Sequence, residues 1–278
     1  MEITIQTKDN TLLKAHLFSP EESNHKVLLI NSATGVKQQV YFKFAQYLST
    51  KGYTVITYDY RGIGLSKPHS MKNYSATMRD WGSLDYRALC EFIFEKFPQH
   101  QKYLLGHSVG ALILGMNPYS QFFEKFIFIA TQNAYIGNLK WKTKIEASLG
   151  FGVAQPLFSK IFGYFPSSWF GLGESLPTGC AKDWKSLIMN KSSINKLLES
   201  TENFSPLLQQ ETIILHADDD NWVTLQGIDN LLKNTYPQLK SSLQILQSSE
   251  SPHQKIGHIN FFRSYNQSLW KKIVLILQ

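Results

Sequence analysis

The chain has 278 residues, 43% hydrophobic and 18% charged, a composition that excludes a disordered or fibrous protein and allows one large domain. Its two cysteines, Cys90 and Cys180, lie 90 positions apart with no Cys/His partner spacing nearby, which supports neither a disulfide framework nor a structural zinc site. The net charge of +7 raises nucleic acid, anionic lipid and acidic substrates as partners.

The opening segment, MEITIQTKDN, lacks the cationic start and apolar core of a signal peptide, so the expected location is cytoplasmic. Glu2 to Thr7 and Thr11 to Phe18, split by Asp9-Asn10, read as a hairpin. Lys26 to Asn31 (KVLLIN) is an apolar run without alternation, as in a strand covered on both faces. A helix is predicted over Gln39 to Lys51, with Phe42, Ala45, Tyr47 and Leu48 on its apolar side and Gly52 as its stop. Tyr53 to Tyr58 is the next strand, followed by the glycine-bearing loop DYRGIGLS at 59 to 66. That loop lacks the G-x-G-x-x-G spacing and the P-loop lysine, so Arg61 is expected to brace it against a nearby acid or carbonyls.

Met78 to Phe97 reads as one long helix, and Gln101 to Gly106, Glu124 to Ala130 and Thr212 to Ala217 continue the strand pattern. Between them, residues 133 to 200 carry no clear strand, ten aromatics and several prolines and glycines. Eight lysines against Glu146, Glu174 and Asp183 place five of the seven net charges between Asn133 and Lys196. This segment is expected to be a helical cap inserted into a core made of residues 1–132 and 201–278. Its aromatics would line an apolar ligand pocket, and its lysines would favour weak contact with an anionic membrane surface. No zinc-knuckle, RNP-like or arginine-rich signal supports nucleic-acid binding. A helix near Leu225 to Tyr236, a strand near Ser242 to Leu246 and a last helix from Asn260 to Leu275 complete the alternation of strands and helices, an α/β pattern.

Gly106-His107-Ser108-Val109-Gly110 matches G-x-S-x-G between an apolar strand and a helix-like run. A serine on so tight a turn takes a strained conformation, and flanking glycines remove the side chains that would collide there. A serine hydroxyl needs a base and an acid that orients the base. The acid candidates are Asp218, Asp219 and Asp220 after the 212–217 strand; of the eight histidines, only His253 and His258 follow them. His258, after Gly257 and just before the apolar INFF, is anchored, whereas His253 lies in the polar SSESPHQK stretch. His107 is expected to pack or support the turn.

The order Ser108, acid, His258, together with NSATGV, YDYRGIGLS, DWGSLD, GHSVG, YFPSSWFGLGESLP, DDDNWV and IGHINFF, resembles the α/β-hydrolases. Within them the chain is similar to a predicted bacterial branch related to the serine aminopeptidase-like group. The resemblance spans nearly the whole chain and implies an α/β-hydrolase fold: a mostly parallel sheet of eight strands with helices on both faces and a helical cap. It places the nucleophile on Ser108 and the base on His258. The acid usually stands three residues after a glycine, here replaced by Ala217, which points to Asp220 and leaves Asp218 and Asp219 open. The oxyanion donors would be the amides of Val109 and Ala33, with Thr34 next. The implied activity is a serine hydrolase cleaving a carboxylic ester of a small acyl substrate through an acyl-enzyme, without cofactor or metal. Amide or peptide cleavage, thioester cleavage, and a non-catalytic binding protein on the same fold are the alternatives.

Overall fold

The computed structural model describes residues 1–278. Ten strands occur, of which two short ones, β7 Tyr164–Phe165 and β8 Leu176–Pro177, pair apart; the other eight form one sheet, in which the spatial order is β1-β2-β4-β3-β5-β6-β9-β10. Their ranges are β1 Glu2–Gln6, β2 Leu12–Phe18, β3 Lys26–Asn31, β4 Thr54–Tyr58, β5 Gln101–His107, β6 Lys125–Ile129, β9 Glu211–Ala217 and β10 Lys240–Leu246. β1 and β2 pair antiparallel, β2 pairs antiparallel with β4, and every pairing from β4 to β10 is parallel. The apolar runs occupy the middle of the sheet because helices cover both faces there: Val27 to Ile30 and Val55 to Tyr58 are fully sheltered. The register aligns Asn31 with Gly106, His107 with Ile129 and Ile129 with Leu215, so four strands end at one edge. Chain order reverses beside β3, the place where loops from neighbouring strands diverge and leave a crevice. No helix is long and apolar enough to cross a membrane.

Three segments depart from the sequence expectation. The 78–97 helix is interrupted by a π turn over Trp81–Tyr86, which turns Trp81, Gly82, Asp85 and Tyr86 together into the core. Asp85 there meets Arg61: the Arg61 amide donates to Oδ2 at 2.9 Å and Nε to Oδ1 at 2.7 Å. The same guanidinium donates to both oxygens of Asp9, so Arg61 does brace its loop, with two acids.

The last α-helix begins at Gln267 rather than Asn260, after two 3₁₀ turns. The Asn266 side chain donates to the Asn260 carbonyl at 2.8 Å, and the Trp270 indole donates to the Phe261 carbonyl at 2.7 Å. Those carbonyls are therefore satisfied without an α-helical turn.

The third departure is a two-stranded hairpin, β7 Tyr164–Phe165 with β8 Leu176–Pro177, in the segment expected to lack strands. Two residues per strand are too few for a period of two to show. The rest of the connection from β6 to β9 is helical, with the longest pieces at Trp141–Leu149, Gln155–Phe162 and Thr178–Met189. From Phe165 onward it contributes Leu176, Cys180, Ala181, Leu187 and Ile194 to the main core. The earlier half instead packs Ile136, Leu139, Ala147 and Phe151 into a small separate cluster that Ile188 of the Thr178–Met189 helix completes.

Candidate active site

Ser108 sits at the turn between β5 and the helix Val109–Leu112, with φ 53° and ψ −117°. Such a backbone is costly for a side-chain-bearing residue, and the surrounding packing holds it. A Cβ at Gly110 would stand 2.3 Å from the Asn31 carbonyl oxygen, and one at Gly106 would stand 2.6 Å from the Ala111 Cα. Both positions require glycine because strand and helix approach so closely. The Ser108 carbonyl accepts from Thr131 Oγ1 at 2.9 Å, which ties the turn to the end of β6.

His258 Nδ1 and Asp220 Oδ2 are 2.8 Å apart. Asp220 is almost fully buried at the end of β9, and its other oxygen accepts the Trp222 amide at 2.8 Å. Burial pushes the Asp220 carboxyl up, but the hydrogen bond and charge of His258 and the Trp222 amide outweigh it, leaving it below the usual range. An ionised Asp220 can only accept, so Nδ1 of His258 carries a proton, which in the neutral ring leaves Nε2 as the acceptor. Ser108 and His258 line the same cavity, with no hydrogen bond between their side chains. Between a serine and a histidine such a bond commonly tightens only around substrate.

The three adjacent aspartates have separate partners. Asp218 Oδ1 accepts the Ser248 amide at 2.9 Å, beyond β10. Asp219 accepts the amides of Ile256 at 3.0 Å and Gly257 at 2.7 Å, clamping the loop that presents His258. Asp220 alone reaches the imidazole. His253 lies apart from this contact, with its ring against Tyr265 at 4.4 Å.

His107 has a larger part than turn packing. It is completely buried, with Nδ1 2.8 Å from Tyr41 Oη and Nε2 2.8 Å from the His258 carbonyl oxygen. A carbonyl only accepts, so the His107 proton is on Nε2, and Tyr41 donates its hydroxyl proton to Nδ1. The Tyr41 oxygen then accepts the Ala33 amide, at 3.1 Å. A continuous relay thus runs from the loop after β3, through Tyr41 and His107, to the backbone of His258. Burial, and next the neighbouring His258, push the His107 imidazole down to about 3, so it stays neutral.

This relay corrects one expectation. The Ala33 amide is not a free donor, because Tyr41 Oη takes its proton. Thr34, the neighbouring candidate, lines the cavity and its amide donates to no protein acceptor. Val109 opens its helix, where the first amides have no acceptor within the helix. Tyr41 carries no sequence signal of this role: it lies 66 positions from His107 at the end of a 3₁₀ turn.

The cavity over Ser108 measures about 180 Å³ and is lined by 19 residues, 12 of them hydrophobic. Leu112, Leu139, Trp184, Ile188 and Val223 form much of its wall, and Gly171, Leu172 and Gly173 border it. Its polar side chains are largely engaged elsewhere: Gln132 accepts from Thr224 and donates to the Trp222 carbonyl, and Thr131 holds Ser108. No Asp, Glu, Lys or Arg lines it. No cluster of side chains capable of holding a metal ion occurs in the chain.

Residues 22–163 match the family described as serine aminopeptidase, S33. No curated protein matches the sequence significantly. Among solved structures, an esterase from Pyrococcus furiosus superposes with a TM-score of 0.64 at 13% identity, over 100% of this chain and 90% of that one. The esterase EaEST from Exiguobacterium antarcticum superposes with 0.63 at 18% identity, covering 99% of each chain. A bromoperoxidase from Bacillus anthracis reaches 0.61 at 17% identity, over 100% of this chain and 99% of that one. At these identities the likeness is one of fold.

Proposed function

Because the chain belongs to the serine aminopeptidase, S33, family of α/β-hydrolases, we propose that it hydrolyses a carboxylic ester with a short apolar acyl group through an acyl-enzyme on Ser108. The observation that carries this reading is the apolar cavity into which the strained Ser108 turn and the Asp220-oriented His258 both open.

In this mechanism Nε2 of His258 takes the Ser108 proton as Oγ bonds to the acyl carbon. Asp220 holds the imidazole in the accepting tautomer and stabilises the cation that forms. The oxyanion that develops is met by the amides of Val109 and Thr34. His258 then returns its proton to the leaving alkoxide, and water, deprotonated by the same Nε2, attacks the acyl carbon and restores Ser108.

The lining supports an ester of a neutral acid over an aminoacyl substrate. An α-ammonium group entering this pocket would lose hydration with no carboxylate on the wall to replace it. The volume supports a short chain: an apolar cavity of about 150 Å³ holds a benzene molecule, a six-carbon group. Turnover of p-nitrophenyl esters of graded length, beside aminoacyl anilides, tests the reading. The expected result is ester cleavage that peaks at short to medium chains and negligible anilide cleavage. Preferential anilide cleavage would overturn it.

A further inference from the structure

The helical run from Trp141 to Phe162 presents an unusual outer face. Trp141, Ile145, Leu149, Val153, Leu157 and Ile161 recur every fourth residue, and each is between 51% and 70% exposed. In a regular helix a four-residue spacing drifts by about 40° per step, so six such residues would spiral away from one face. A π turn over Gly150–Ala154 joins the two α-helical pieces, and its wider turn takes back part of the drift. Pro156, which cannot donate into a helical ladder, is the second residue of the piece that follows. Opposite the stripe, Thr143, Ala147, Phe151, Gln155 and Ser159 are buried, so the inner face is already occupied. The outer apolar stripe has no partner in the fold.

Two more exposed aromatics extend this face. Trp169 and Phe170 pack their rings on Phe158, at 6.1 and 5.7 Å, and directly precede the Gly171–Gly173 stretch that borders the cavity. Lys140, Lys142, Lys144 and Lys160 are exposed around the stripe, and no carboxylate lies within ion-pair distance of any of them. Glu146 is the only acidic residue between Asn133 and Gly173. A helix with an exposed apolar band and uncompensated lysines beside it suits the boundary between lipid headgroups and acyl chains, where apolar burial and attraction to anionic lipid act together.

We propose that this face docks the protein on an anionic lipid surface. The inner side of the same helix places Phe151 against Trp184, with ring centroids 4.9 Å apart, and Trp184 lines the cavity. Docking therefore sets the cavity beside the lipid and allows an acyl chain to pass to Ser108 without crossing bulk water. That delivery rests on the ester-hydrolase reading; the docking itself does not.

Co-sedimentation of the full chain with phosphatidylcholine vesicles, with and without phosphatidylglycerol, tests the proposal. Binding is expected to the anionic vesicles at low salt and to fall as salt rises, because the screening length shrinks from about 30 Å at 0.01 M to about 3 Å at 1 M. The triple change Lys140→Gln, Lys142→Gln, Lys144→Gln should weaken binding by about tenfold or more. Leu149→Gln with Leu157→Gln should weaken it as well. Both variants should keep parental turnover of a water-soluble ester, so a failure of docking and a failure of the hydrolase reading give different results. Absence of vesicle binding at low salt would overturn the proposal, as would binding that neither variant changes. A dimer that dissociates on Leu149→Gln with Leu157→Gln, without vesicle binding, would assign the stripe to a second copy of the chain instead.

Discussion

Asp218, Asp219 and Asp220 are chemically identical neighbours with three different partners, which separates their expected effects. Asp220→Asn removes the acceptor that holds the His258 tautomer, and a loss of about 10⁴ in kcat is expected. Asp218→Asn changes a contact to the Ser248 amide and should stay within a few fold. Steady-state rates on one short-chain ester check both, and equal mild losses would place the acid elsewhere. Ser108→Ala and His258→Ala should each cost about 10⁴ or more with unfolding midpoints near the parent, because residues that act as a unit fail singly. Asp219 belongs to neither class, since its clamp on Ile256 and Gly257 positions His258 through the backbone.

At the scale of elements, the turn after β5 and the loop after β4 depend on contacts from distant segments. Arg61 is almost completely buried between Asp85 and Asp9, and breaking such a pair from one side leaves a buried charge uncompensated. Arg61→Met is therefore expected to lower stability by about 3–5 kcal/mol, read from urea unfolding, whereas conversion of an exposed pair such as Arg87–Glu91 should change it by under about 1 kcal/mol. On the other side of the crevice, Trp184 and Ile188 belong to the helix Thr178–Met189 and wall the cavity. Trp184→Ala enlarges that wall, so the preferred ester should shift to longer acyl chains in a graded series. An unchanged profile would move the acyl group to another part of the cavity.

For the whole molecule, the buried relay couples the site to folding stability. His107 is held neutral down to about 3, while an unfolded histidine takes up its proton near 6.5. As pH falls below about 6.5 the unfolded chain binds a proton that the folded one refuses, so stability declines toward pH 3 and is retained above about 6.5. His107→Asn should lower stability at pH 7, because Tyr41 and the His258 carbonyl lose a partner, yet show a shallower decline between pH 7 and 4 in urea titrations. A parallel decline in parent and variant would assign the acid sensitivity to other groups. The alternation of apolar runs, the Gly106 to Gly110 pentapeptide and the positions of DDDNWV and IGHINFF were enough to state the sheet and the tight turn at Ser108 and to bring forward Ser108, Asp220 and His258 as candidates, because periodicity and close-packed turns are local demands on residue type. The separate partners of the three aspartates, the engagement of the Ala33 amide by Tyr41 and the outward turn of the Trp141 to Ile161 stripe came only from the tertiary structure. Each depends on which segment lies across a gap of a few ångströms, and residues 38, 8 or more positions apart acquire that relation only when the sheet and its connections close.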